Sequence, residues 1–134
     1  MDRVFLDANV LYAAAYWDGS PLRRLWQLPG VELWTCDYAA AEALGNLSED
    51  RPGRVDELQR LIGLTHLESR PSDEAGLPRG VDLPAKDLPI LLAAIRAQAH
   101  YLLTGDKMHF GPYFGQVVGG VRILPPSQYP ALRR

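Results

Sequence analysis

The amino-acid sequence predicts an α/β domain, a parallel sheet covered by helices on both faces. Val4, Phe5 and Leu6 are too few, and too β-branched or aromatic, to begin a stable helix, and they read as a strand buried on both sides. Tyr101-Leu102-Leu103-Thr104 repeats the pattern late in the chain, and segments of helical spacing alternate with the strands between them. Both apolar runs also stop at a carboxylate, Asp7 directly and Asp106 after Gly105. In an open α/β sheet the carboxyl ends of the strands form the crevice where ligands sit.

A length of 134 residues suits one domain, 1–134, with a proper core. The 47% apolar and 22% charged shares are those of an ordinary globular chain. The longest apolar stretch, 88–95, is stopped by Arg96 and falls short of the ~20 residues of a membrane span. Asp7 and Asn9 interrupt the first apolar segment, so no leader peptide is expected and the cytoplasm is the expected compartment. Cys36 is the sole cysteine, which excludes an internal disulfide and a cysteine zinc cage. A net charge of −2 argues against nucleic-acid binding by bulk electrostatics alone, though not against a nucleic-acid enzyme.

In chain order, the alanine-rich segment 11–17 reads as a short helix. Ser20-Pro21 opens a second, with serine as N-cap, apolar residues at Leu22, Leu25, Trp26 and Leu28, and Pro29-Gly30 as its stop. Segment 31–35 is a second strand. Asp37 caps a helix whose inward stripe is Ala40, Ala43, Leu44 and Leu47, with Glu42 beside the stripe. Val55, Leu58, Leu61 and Ile62 mark a third helix that Gly63 stops, and 64–67 is a third strand. Segment 68–84, with its prolines and glycines among charges, is a loop or a short helical excursion and not a linker to a second domain. Leu88, Leu91, Leu92, Ile95 and Ala99 give the strongest helical pattern, with Asp87 at its N-cap and Pro89 in its first turn. Segment 121–124 is a fifth strand, and Pro125-Pro126-Ser127 begins a short C-terminal turn or helix.

If the first and fourth strands are neighbours, Asp7 and Asp106 face each other across the crevice. Asp87, at the start of the helix leading into the fourth strand, and Glu42 could point into it as well. Three of the four acids have a purely structural reading too: Asp7 and Asp87 as caps, Glu42 as an exposed edge charge. Convergence would instead create a repulsion of roughly 1–4 kcal/mol for each pair at ~4 Å. A hard divalent cation, Mg²⁺ or Mn²⁺, is the usual resolution. His66, His100 and His109 show no ligand spacing, and His109 reads as a surface histidine near Asp106.

These segments resemble the PIN-domain ribonucleases, especially the VapC-like toxin components of bacterial toxin–antitoxin pairs. The resemblance spans essentially the whole chain and rests on VFLDANVL, the AEAL helix, KDLPILLAA, and YLLTGDKMHF followed by VRILPPSQY. It implies a three-layer α/β/α fold with a central parallel sheet of four to five strands, a Mg²⁺ or Mn²⁺ cofactor, and endonucleolytic cleavage of RNA. Position by position, Asp7, Glu42, Asp87 and Asp106 match the family's acidic quartet, with Asn9 and Thr104 in support. Ala8 stands where many members have threonine or serine, and Met108 and His109 where many have a further acid.

On this reading Asp7, Asp87 and Asp106 are metal ligands, direct or through water, and Glu42 is a ligand or orients the attacking water. Lys107 and Arg96 are candidates for phosphate contacts. RNA is the expected substrate, with a small antitoxin as partner and a homodimer as the assembly. The competing reading is a non-catalytic binding module whose acidic pocket holds a metal or a partner's arginine. A phosphatase or phosphotransferase of another α/β fold is disfavoured, because no glycine-rich phosphate loop follows a strand.

Overall fold

The computed structural model describes residues 1–69 and 76–132. Strands β1 (Asp2–Leu6), β2 (Val31–Cys36), β3 (His66–Glu68), β4 (Tyr101–Leu103), β5 (Val117–Val118) and β6 (Val121–Leu124) form one sheet in the order β3-β2-β1-β4-β6-β5. Every pairing is parallel except β5 with β6. Val4, Phe5, Leu6, Leu102 and Leu103 are wholly buried, the pattern expected of central parallel strands covered on both faces. The predicted neighbours are indeed adjacent, with Leu6 opposite Leu103.

From β1 the chain builds outward through β2 to β3, then returns to lay β4 and β6 on the other side of β1. The gap between the carboxyl ends of β1 and β4 is therefore the topological switch point, where open α/β sheets leave room for a ligand. Helices α1 (Ala8–Ala15), α2 (Asp37–Asp50) and α3 (Val55–Gly63) pack on one another, while α4 (Leu88–Arg96) packs on β2 and β4. A short α5 (Gln128–Leu132) brings Tyr129 into the core, where its hydroxyl donates to Asp2 at 2.8 Å. Among the described residues no helix is long and apolar enough to cross a membrane.

Several elements differ from expectation for identifiable reasons. The first helix starts at Ala8, because Asp7 Oδ1 accepts the Ala8 N–H at 2.7 Å and turns the chain at once. Asn9 thus lies in the first turn of the helix. Residues Pro21–Gln27 form a 3₁₀ helix in which Ser20 makes no side-chain cap bond. Leu22, Leu25 and Leu28 recur every three residues, which suits three residues per turn. Cys36, not Asp37, is the N-cap of α2, its Sγ accepting from Ala39 N at 3.4 Å.

Helix α4 ends sooner than the predicted stripe: Gln98 adopts φ 55°, and Ala99 N bonds back to Ala94 O at 3.0 Å, the left-handed stop of a Schellman turn. Strand β5 was not expected from sequence. It pairs with β6 through Gly119 and Gly120, both at positive φ, the backbone that a two-residue hairpin demands. Of the predicted loop 68–84, residues 70–75 lie outside the described residues.

Candidate active site

Asp7 closes β1 and starts α1, so its carboxylate is fixed by both. Oδ1 takes the Ala8 N–H, and Oδ2 takes the Thr104 hydroxyl at 2.8 Å and Asn9 Nδ2 at 3.3 Å. Thr104, wholly buried at the end of β4, uses its full hydrogen-bonding capacity: it donates to Asp7 and accepts from Asn9 Nδ2 and Asp106 N, each at 3.2 Å. Asn9 completes the junction by accepting Gly105 N at 2.7 Å. Three side chains thereby tie the end of β1 to the loop after β4, and Asp106 enters the crevice from that loop.

Burial pushes the Asp7 carboxyl up to about 6, and the negative charges of Glu42 and Asp87 add to it. The hydrogen bonds from Thr104 and Ala8 favour the anion but do not compensate. Glu42 and Asp87 therefore act on Asp7 from α2 and from the start of α4. Glu42 is exposed and makes no hydrogen bond among the described residues. With Ala8, Asn9, Tyr12, Asn46 and Asp50 it lines a groove that continues from the crevice between α1 and α2.

Asp87 occupies the N-cap position of α4 but does not cap it. Its backbone, φ −96° and ψ −19°, is already helical, whereas a capping side chain needs the extended conformation. The residue is only 8% exposed, and its Oδ2 is fully buried and has no hydrogen-bond partner among the described residues. Burial raises its carboxyl above the ordinary value, Asp106 adds to the shift, and Lys86 and His109 oppose it.

His109 corrects the expectation of a surface histidine. The turn after Asp106 carries it back over that carboxylate, its N–H on Oδ1 at 3.1 Å and its Nδ1 on Oδ2 at 2.8 Å. The same Nδ1 lies 3.3 Å from Asp87 Oδ2. Burial alone would raise Asp106, but these contacts from His109 outweigh it and hold the carboxyl below its ordinary value. Oxygen or nitrogen donors of Asp87, Asp106 and His109 lie within 4.8 Å of one another. Two carboxylates and an imidazole, one carboxylate having a buried oxygen that makes no hydrogen bond among the described residues, make a donor set suited to a divalent cation.

Of the expected residues, hydrogen bonds join Asp7, Asn9 and Thr104 and reach the Asp106 N–H, His109 links Asp106 to Asp87, and Glu42 and Asp87 act on Asp7 through their charge. Lys107 is exposed and adjacent to Asp106. Arg96 is carried away from the crevice, since it ends α4 about 13 Å along the axis from Asp87.

This architecture also occurs in solved proteins. A chain of VapBC2 from Rickettsia felis, a complex bound to a DNA fragment from their promoter, superposes with a TM-score of 0.64 at 14% identity, over 92% of this chain and 98% of that one. The chain has the PIN fold of the VapC toxins. VapC20 from Mycobacterium tuberculosis, a toxin that cleaves the sarcin–ricin loop, superposes with a TM-score of 0.59 at 15% identity, over 77% of this chain and 91% of that one. No protein-family model and no curated relative matches the sequence. The expected three-layer PIN architecture is thus present, with six strands in place of four or five.

Proposed function

We propose that this PIN-fold chain is a metal-dependent endoribonuclease and the toxin of a toxin–antitoxin pair. The observation that supports the reading is the buried Asp87 Oδ2, which makes no hydrogen bond among the described residues and whose carboxylate groups with Asp106 and His109 within 4.8 Å at the switch point of the sheet. A capping aspartate would have bonded that oxygen to the backbone and a solvated one would have exposed it, because an isolated buried carboxylate oxygen is costly. Asp7, Asp87 and Asp106 would hold Mg²⁺ or Mn²⁺. When bound, such an ion supplies Lewis-acid activation of water and charge neutralisation at the scissile phosphate.

The chain's own residues do the positioning. Thr104 and Asn9 fix Asp7 in one orientation, so no side-chain freedom is lost when the site fills. Glu42, exposed at the mouth of the groove, is the carboxylate available to orient the attacking water and accept its proton. Lys107 stands where it could meet a backbone phosphate. RNA as substrate agrees with the sarcin–ricin loop activity of VapC20, and a partner protein agrees with the VapBC2 complex. A homodimer and a cytoplasmic location complete the reading.

The test is cleavage of end-labelled structured and single-stranded RNAs by the purified full chain in millimolar Mn²⁺ or Mg²⁺. Cleavage that chelator abolishes is expected. Asp7→Asn and Asp106→Asn should lower its rate on the order of 10³-fold with circular dichroism unchanged. Full activity in folded Asp7→Asn would overturn the assignment. Metal binding without cleavage of any RNA would leave a binding module.

A further inference from the structure

We propose that His109 is itself a ligand, making the centre a mixed nitrogen–oxygen site that prefers a first-row transition ion such as Mn²⁺ to Mg²⁺. This rests on the metal site proposed above and adds a donor that the acidic residues alone do not supply. The argument is geometric. Octahedral donors at ~2.1 Å from an ion stand about 3.0 Å from their cis neighbours. His109 Nδ1 stands 2.8 Å from Asp106 Oδ2 and 3.3 Å from Asp87 Oδ2, on either side of that spacing.

Burial points the same way. Asp87 Oδ2 is fully buried and makes no hydrogen bond among the described residues, and the basic atom beside it is His109 Nδ1 at 3.3 Å, so a cation entering here would meet that oxygen and that nitrogen together. His109 reaches its place through two bonds to Asp106, the ring and the main chain, so its Nδ1 is aimed before any ion arrives. Coordination through Nδ1 would leave the ring neutral with its proton on Nε2. Mg²⁺ prefers oxygen donors and gives up water reluctantly, whereas an imidazole nitrogen strengthens binding along the series from Mn²⁺ onward.

Pulsed electron paramagnetic resonance of the full-length wild type loaded with Mn²⁺ decides the point without measuring activity. A coupling to a directly bound imidazole nitrogen is expected, and it should vanish in His109→Gln. Calorimetric titration of His109→Gln should show Mn²⁺ affinity reduced about tenfold or more, with Mg²⁺ affinity changed far less. His109→Asp should bind Mn²⁺ without the nitrogen signal and shift the preference toward Mg²⁺. Should His109→Gln fail to fold, the wild-type spectrum still decides. Stoichiometric Mn²⁺ with no nitrogen coupling, or a coupling that survives in folded His109→Gln, would overturn the ligand role while leaving the carboxylate site standing. No binding of either ion by the wild type would overturn this inference together with the metal site.

Discussion

Two histidines meet carboxylates in this molecule, and their surroundings are opposite. On the outer flank of the sheet, Glu32 is a single acid among several donors. Trp34 Nε1 donates to it at 2.6 Å, Arg3 Nε lies at 3.5 Å and His66 Nε2 at 3.9 Å. His66 also stacks on Trp34, and the Arg3 guanidinium lies over the same indole. At the switch point the ratio is inverted: Asp87 and Asp106 share one Nδ1, with Asp7 and Glu42 close by. The flank has more donors than carboxylates and is complete as it stands. Among the described residues the crevice has four carboxylates and one basic ring in contact with them, its other donors being neutral, and that shortage of cationic donors, not the presence of acids, marks it as a place for a cation.

Breaking the crevice should have the largest effect. Asp87→Asn is expected to reduce RNA cleavage on the order of 10³-fold, because it removes a carboxylate charge proposed to hold the ion. Glu32→Gln should leave the rate within about twofold and instead cost about 1 kcal/mol of stability through its weakened bonds to Trp34 and Arg3. Parallel rate and denaturation measurements on both variants check this. A reversal of the two outcomes would remove the distinction between the regions.

Metal should sharpen the contrast next. An ion that binds only the native state adds about 2.7 kcal/mol at a hundredfold excess over its Kd, roughly 10 °C in Tm for a chain of this size. Wild type and Glu32→Gln should share that gain in Mn²⁺, and Asp87→Asn should lose most of it. Equal shifts in all three would place the binding elsewhere.

The third effect is the pH dependence of Asp7. Its folded pKa, about 6, lies above the ordinary 3.8, so the protonated form is the one that folding favours. The resulting stabilisation is complete below about 3.8 and is lost as pH rises through 6, a swing of about 3 kcal/mol. In metal-free protein, Asp7→Asn should therefore gain stability relative to wild type by about that amount between pH 4 and pH 7, the lost bond from Thr104 reducing its absolute advantage. A stability difference flat across that range would show that Asp7 is not strained as an anion.

Sequence alone reached the scaffold of the crevice because that scaffold rests on short-range signals. Val4–Leu6 and Leu102-Leu103 are apolar on both sides, and each leads to an acid at a strand end. The spacing of α4 also placed Asp87 correctly at the entrance to that helix. What sequence could not decide was whether Asp87 caps. Position made it an N-cap, but its backbone conformation, set by tertiary packing, withheld the bond. His109 was missed for a related reason: it carries no ligand spacing toward other histidines. Its signal is a D-x-x-H turn, in which an aspartate accepts the N–H three residues on. The Gly-Gly pair between Val118 and Val121 was a hairpin signal in plain view, though the strand before it is too short for alternation to register.

The smallest expected effect separates the two histidines themselves. His66→Ala removes a ring stacked at 4.9 Å on Trp34 and a contact with Glu32 at 3.9 Å. The His66 side chain is 57% exposed, so the ion-pair contribution is screened by water and close to zero. The stacking that remains is worth about 0.5–1 kcal/mol, and Arg3 still covers Trp34 after the ring is gone. Urea denaturation of His66→Ala should accordingly show a loss below about 1 kcal/mol, with RNA cleavage and Mn²⁺ affinity unchanged. His109→Gln should give the complementary pattern, a marked loss of Mn²⁺ affinity from a residue that contributes no apolar stacking. If His66→Ala instead weakened Mn²⁺ binding, the flank would belong to the functional surface, and the donor shortage at the switch point would not be what distinguishes the two regions.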